Sequence, residues 1–317
     1  MIRRRVLLAT AALAAPMLAR AGEAQRRLTL VTGGASGSTS DIVVRSFAPF
    51  LERHLPRYRV QVENCPGEAG VTAYRRIAAG PADGTVLGWV ATPALPAREV
   101  ELGGTGLTEG LTLVGAVAKE PVAIVAPAAG PVHTMADLLR VAEKEPVAVT
   151  RPGSPAYLAA MRLQRLTGVA LDLLVFPSSG AVRQATTAGN VAAGIMPLGE
   201  AAPGLREEKL VPLGVASLRA EAFPDWPTLA DQDIALSAWI HRGLAAPTGL
   251  PPQRLTRFSA ALQAVAADPE FRAQSDGAGI LAYHLAGPAW TERMTTEKAE
   301  IAQLWNEQPW PVGRAAG

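Results

Sequence analysis

The run Thr32-Gly33-Gly34-Ala35-Ser36-Gly37-Ser38-Thr39-Ser40-Asp41 gathers small side chains, hydroxyls and one acid between a strand-sized apolar stretch and a segment of helical period. Small residues let a ligand approach the backbone closely, and free N–H groups at a helix start favour negative charge. Thr32, Gly34, Ser36, Gly37, Ser38, Thr39 and Asp41 are therefore candidate contacts to an anion. At least one of Ser38, Thr39 and Ser40 is also needed as an ordinary helix cap. The run lacks the Lys-Ser/Thr ending of a phosphate loop, and its glycines do not fit G-x-G-x-x-G, so it is not a nucleotide motif. A second set lies at Arg151-Pro152-Gly153-Ser154. The planar fork of Arg151 matches a carboxylate bidentately, although a surface arginine reads the same way. Ser154 can cap the helix that follows or donate to a ligand. Ser178 and Ser179 are equally turn-formers or donors, and Thr92, just past another apolar run, is a further hydroxyl donor. Asn64 and Asp83 read as turn-formers.

Chemistry that breaks bonds has little support. The four histidines, His54, His133, His241 and His284, show no metal-ligand spacing, and no metal or cofactor is expected. There is no G-x-S-x-G elbow, and no Ser-x-x-Lys beyond the first residues. The single cysteine, Cys65, cannot form an internal disulfide and reads as a small packed residue near a turn. An exported hydrolase or isomerase built on Cys65 and a histidine is the alternative, with nothing in the sequence to bring the two together.

Positioning such loops calls for a particular scaffold. Apolar runs recur at 28–31, 58–62, 86–90, 122–126, 147–150, 171–176, 192–196 and 213–217. Helical spacing falls between several of them, as in Val43, Phe47, Phe50 and Leu51. Thr134 with Asp137 forms a capping signature, and Leu255, Phe258, Leu262 and Val265 share one helical face. The alternation predicts an α/β fold with mainly parallel sheets. The length exceeds what one core usually fills, so two lobes are expected. Two Pro/Gly-rich runs, 126–131 and 244–252, are read as the crossings between them. This gives a first lobe of about 26–126 plus 241–317 and a second of 127–240, with one continuous sheet carrying loop insertions as the alternative.

Residues 1–25 read as a signal peptide, with Arg3-Arg4-Arg5, an apolar stretch from Val6 to Leu18 and a small-residue ending that places cleavage near Ala21. The paired arginines leave twin-arginine export open beside the general route. The stretch is shorter than the roughly 20 residues of a membrane span, so a soluble periplasmic protein is expected. The full chain has 30 basic and 28 acidic residues. The first 21 hold four arginines and no acid, leaving 26 basic against 28 acidic. With no basic run and 5% aromatics, nucleic-acid binding is excluded as a reading.

Several segments taken in order resemble one family. Gly37-Ser38-Thr39-Ser40-Asp41 with Arg45 resembles the first ligand loop and helix of Bug-type receptors of tripartite tricarboxylate transporters. Glu63-Asn64-Cys65-Pro66-Gly67 with Gly70 is similar to the family's Asn-x-Pro-Gly turn, and Pro81-Ala82-Asp83-Gly84-Thr85 to its Pro-Asp-Gly-Tyr-Thr segment. Gly153-Ser154, Phe176-Pro177-Ser178-Ser179-Gly180, Phe223-Pro224-Asp225-Trp226-Pro227-Thr228 and Trp239 through Pro247 extend the likeness over about residues 27–280. The resemblance implies a two-lobed periplasmic-binding-protein fold, or Venus flytrap, that closes over a small carboxylate. It implies membrane permease subunits as partners, or a sensor kinase if the closed receptor reports its ligand instead, and a monomer. It also marks departures. Thr32 replaces the usual aromatic and proline, Tyr157 stands where a His is common and is a candidate contact, and Ala192 replaces an acid. A micromolar receptor needs about 8 kcal/mol, which a few charge-assisted hydrogen bonds at about 1.5–3 kcal/mol each can supply.

Overall fold

The computed structural model describes residues 25–217 and 226–311. The expected export segment and Phe223-Pro224-Asp225 lie outside the described residues. Strand and helix alternate from the start: β1 (Arg26–Thr32), α1 (Thr39–His54), β2 (Tyr58–Asn64), α2 (Val71–Ala78), β3 (Val86–Thr92) and α3 (Ala94–Glu101). A 17-residue strand, β4 (Leu111–Pro127), follows. Then come α4 (Met135–Val141), β5 (Val147–Thr150), α5 (Pro155–Thr167), β6 (Leu173–Phe176), α6 (Ser179–Thr187), β7 (Ala193–Pro197), α7 (Leu198–Arg206) and β8 (Leu210–Val215). The chain ends with β9 (Trp239–Pro247), α8 (Pro252–Ala267), α9 (Pro269–Gly277), β10 (Leu281–Ala286) and α10 (Gly287–Glu307).

One strand serves two half-sheets. Residues 111–121 of β4 lie between β9 and β10, both antiparallel to it. Residues 122–127 of the same strand lie between β7 and β8, again antiparallel. Beyond this spine the strands run parallel: β2–β1–β3 on one side and β6–β5–β7 on the other. The α/β architecture thus stands, with the correction that its centre is antiparallel. Strand direction follows connectivity, because helical crossovers return the chain parallel, whereas β4 runs directly from one half into the other and the segment before β9 leads straight back.

The pairing changes partners at Pro121–Val122, and the return passes Ala238–Trp239, where the Val122 amide donates to the Ala238 carbonyl at 2.9 Å. The Pro/Gly-rich runs read as crossings sit elsewhere. Ala126 and Pro127 end β4, and Leu244 to Pro247 are buried residues of β9. Proline at a strand terminus costs no ladder bond, so these residues mark strand ends far from the passage.

Each half-sheet is covered on both faces, which explains the near-continuous apolar runs of its parallel strands. In the first half, α1 and α8 bring Phe47, Leu51, Phe258 and Leu262 onto one face, while Ile77, Leu95 and Trp290 from α2, α3 and α10 cover the other. In the second half, α4 and α5 contribute Leu138 and Leu163, opposite Val182 and Leu198 of α6 and α7. Fully burying such a side chain contributes about 1.5–3 kcal/mol. No helix among the described residues is long and apolar enough to cross a membrane.

Candidate functional site

The loop after β1 is built by glycine and held by a carboxylate. Thr32 is buried, and its Oγ1 accepts the Gly34 N–H at 3.4 Å. A Cβ on Gly34 would lie 2.7 Å from Ser38 Oγ and 2.8 Å from Ser40 Cβ, and one on Gly33 would lie 3.0 Å from the Gly70 Cα. Ser38 caps α1, accepting the Asp41 N–H at 3.3 Å. The Asp41 carboxylate accepts the Gly37 N–H at 2.9 Å, Arg45 Nε at 2.8 Å and Asn64 Nδ2 at 2.7 Å. Those bonds, from Arg45 first and then Asn64 and Gly37, hold its pKa down from 3.8 to about 2. Asn64 Nδ2 also donates to the Gly34 carbonyl at 2.9 Å.

Asp41 therefore shapes the loop from within. Its lowered pKa contributes stability that is present above about pH 3.8 and lost as pH falls through about 2. Asp41→Asn should be less stable than wild type at neutral pH, with the gap closing between about pH 4 and 2. Urea midpoints across that range check this, and a pH-independent gap would contradict it.

The facing loop follows β5. Thr150 Oγ1 donates to Ser154 Oγ at 2.7 Å, and Ser154 caps α5 by accepting the Tyr157 N–H at 3.1 Å. Gly153 has φ +68°, and a Cβ there would lie 2.0 Å from both Arg98 Nη2 and Glu101 Oε1. Arg98, buried on α3, pairs with Glu101 and donates to the Pro152 carbonyl at 2.9 Å. Glu101 in turn accepts Trp310 Nε1 at 2.8 Å. Burial first, then Arg151, draws the Arg98 pKa down to about 10. This bracket fixes the loop that carries Arg151.

Arg151 is half-buried and reaches across to the first half, donating from Nη2 to the Ala69 carbonyl at 3.0 Å. Ala69 adjoins Gly70, which touches Gly33, so the guanidinium stands beside the glycine loop. Burial lowers its pKa. Among the described residues no carboxylate lies within ion-pair distance of it.

A third approach comes from α6 and α7. Ser178 caps α6, accepting the Ala181 N–H at 3.1 Å, and is exposed, while Ser179 is half-buried. Glu200, in the first turn of α7 and buried, accepts Thr39 Oγ1 at 2.9 Å from the start of α1 and stands 3.4 Å from Arg183 Nε. A Cβ on Gly180 would lie 3.6 Å from Glu200 Oε1. The preceding residue is anchored to the spine: the Gly199 N–H donates to Glu120 Oε2 at 2.9 Å, and the other oxygen of Glu120 pairs with Arg242.

Gly34, Thr39, Arg151, Ser178 and Ser179 thus belong to loops that meet across the seam. The other candidates have the following surroundings. Ser36 and Gly37 are exposed, with the Gly37 N–H held by Asp41. Thr92 is fully buried, its Oγ1 accepting Trp290 Nε1 at 3.1 Å. Thr32 and Ser154 face inward to their loops. Tyr157 stacks edge-on to Trp310, ring centroids 6.0 Å apart. Cys65 is half-buried. Buried His241 has its pKa depressed to about 3, by burial first and then by Arg293 and Lys119. Among the described residues no group of three or more His, Cys, Asp or Glu could hold a metal ion.

Glu200, Arg183, Arg98 and the bridging role of Asn64 are absent from the sequence-derived set. A lone acid in a first helical turn is an ordinary preference, and an arginine on a short helix carries no signal of burial. Asn64, ending a strand beside Cys-Pro-Gly, offered the one usable hint.

Known proteins resemble this chain in sequence or in fold. BugT of Bordetella pertussis is 26% identical over 292 residues, covering 85% of this chain and 86% of that protein. An adipate-bound R. palustris structure superposes with TM-score 0.79 at 22% identity, covering 89% and 96% of the two chains. MatC of Rhodopseudomonas palustris, with bound malate, gives TM-score 0.76 at 24% identity, covering 88% and 98%. The family model for the tripartite tricarboxylate transporter family receptor, TctC, matches residues 43–290, and with most of its length so matched the chain belongs to that receptor family.

Proposed function

We propose that the protein is a periplasmic receptor without catalytic activity. Its two halves act as lobes that close on a small carboxylate and deliver it to the membrane permease subunits of a tripartite transporter. The division falls where β4 at Pro121–Val122 and the return segment at Ala238–Trp239 pass between the half-sheets, and these two passages supply the hinge. The carboxylate lies between the Gly33–Thr39 loop and Arg151, with Ser178 and Ser179 as further donors. The carrying observation is Arg151, a half-buried guanidinium without a carboxylate within ion-pair distance among the described residues, held across the seam against Ala69. Burying such a charge is costly unless it is paired, and a ligand carboxylate supplies the pair. Adipate and malate in the two R. palustris structures favour the same ligand class.

Native mass spectrometry of gently purified protein, followed by a thermal-shift panel of acids and their amides, tests the reading. At about a hundredfold over Kd a ligand stabilises by about 2.7 kcal/mol. At least one acid should raise the melting temperature while its amide does not. Amides or neutral sugars that work equally well would overturn the anion reading.

A further inference from the structure

Glu200 does something at this seam that a closing contact alone would not. Its carboxylate comes from the second half yet sits at the opening turn of α1, accepting the Thr39 hydroxyl at 2.9 Å. Gly180, at the start of α6, borders it, and Arg183 stands 3.4 Å away. The start of a 16-residue helix is where an anion is most favoured, and here the chain already places one. Glu200 is 8% exposed, and its neighbour Gly199 is tied to Glu120 on the spine, so the group is held in place. The charges around the cleft then pair off: Arg183 with Glu200, and Arg45 with Asp41. Arg151 has no carboxylate within ion-pair distance among the described residues, and Glu101, which acts on it from farther off, is already paired with Arg98.

We infer that Glu200 is a specificity-determining residue that supplies the anion at the start of α1 from the chain itself, so that the cleft takes ligands bearing one carboxylate and disfavours dicarboxylates. This rests on the carboxylate-receptor reading and narrows it. One guanidinium without an ion-pair partner among the described residues offers one place for a carboxylate. A second carboxylate on the ligand would find Thr39 Oγ1 and Arg183 already engaged by Glu200 and would meet the Glu200 charge. The remote end of the ligand is accordingly uncharged, or carries an ammonium that Glu200 can accept.

The test is isothermal titration of the full protein with propionate, hexanoate and benzoate against their two-carboxylate counterparts succinate, adipate and terephthalate, for wild type and Glu200→Gln. Glutamine keeps an acceptor for Thr39 and removes the charge. In wild type the best monocarboxylate should bind about tenfold or more tighter than its counterpart, the size of one modest like-charge contact. In Glu200→Gln that ratio should fall by about tenfold, with the monocarboxylate little changed. A wild-type preference for the dicarboxylates, or a variant in which both classes weaken by the same factor, overturns the inference and leaves the carboxylate receptor standing. If no acid of either class binds, the receptor reading itself fails. Urea midpoints for the variant confirm that it is folded, and Thr39→Val, which removes the contact but keeps the charge, should leave the preference for monocarboxylates intact.

Discussion

Replacing Arg151 with methionine is expected to weaken carboxylate binding by about ten- to a hundredfold, the worth of one charge-assisted hydrogen bond of about 1.5–3 kcal/mol. Thermal stability without ligand should stay close to wild type. The stem of methionine fills similar space, and the lost bonds run only to the Ala69 and Pro152 carbonyls. Arg151→Lys should fall between the two, because an ammonium keeps the charge but not the fork. Titration calorimetry with the best acid and its amide separates the causes. If the guanidinium pairs with the carboxylate, the variant loses affinity for the acid alone. Equal losses for acid and amide would mean that Arg151 acts only by holding the halves together.

Gly243→Ala should produce the largest loss of stability, about 3 kcal/mol or more, in the range reserved for overpacked or strained core positions. A Cβ there would lie 2.1 Å from the Gly115 carbonyl oxygen and 2.5 Å from the Ala116 Cα. Both are backbone atoms of β4, so no side-chain rotation relieves the clash. The register of β4 against β9 shifts at this point, between Leu113 and Gly115 and again between Ala116 and Ala118. Since β4 continues into both half-sheets, separating it from β9 should lower the midpoint of the whole molecule in urea. A wild-type midpoint would contradict the packing described for the spine.

Much of the scaffold was readable because its signals are local. The Thr134–Asp137 capping box forms as the sequence indicated, and Phe47, Phe50, Phe258 and Leu262 are buried on α1 and α8. Each apolar run flanked by helices became a strand. The spine was harder. Residues 111–121, β9 and β10 are not among the apolar runs read as strands, and Gly115 and Gly243 look like loop residues until the close approach of two backbones explains them. Pro127 and Pro247 read as chain breaks, yet they only finish strands.

The site divides along the same line. The tight glycine packing at Gly34, the Ser38 cap and the loop position of Arg151 follow from local patterns of glycine, hydroxyl cap and arginine beside Pro-Gly. Contacts between distant segments were not. Thr39 and Glu200 are 161 positions apart, and nothing near Glu200 indicates that it meets the start of α1. Asp41 is a candidate ligand contact by its type, and it also accepts three N–H donors, from Gly37, Arg45 and Asn64, a closure visible only when β2 is laid beside β1.

The closest test of a carboxylate held by both halves is a crystal structure of the protein with the acid that stabilises it most. The account predicts that acid's carboxylate within hydrogen-bond distance of Arg151 on one side and of a backbone amide between Gly33 and Thr39 on the other. A carboxylate bound to one half alone, or the acid seated outside the seam with Arg151 still against Ala69, would contradict it.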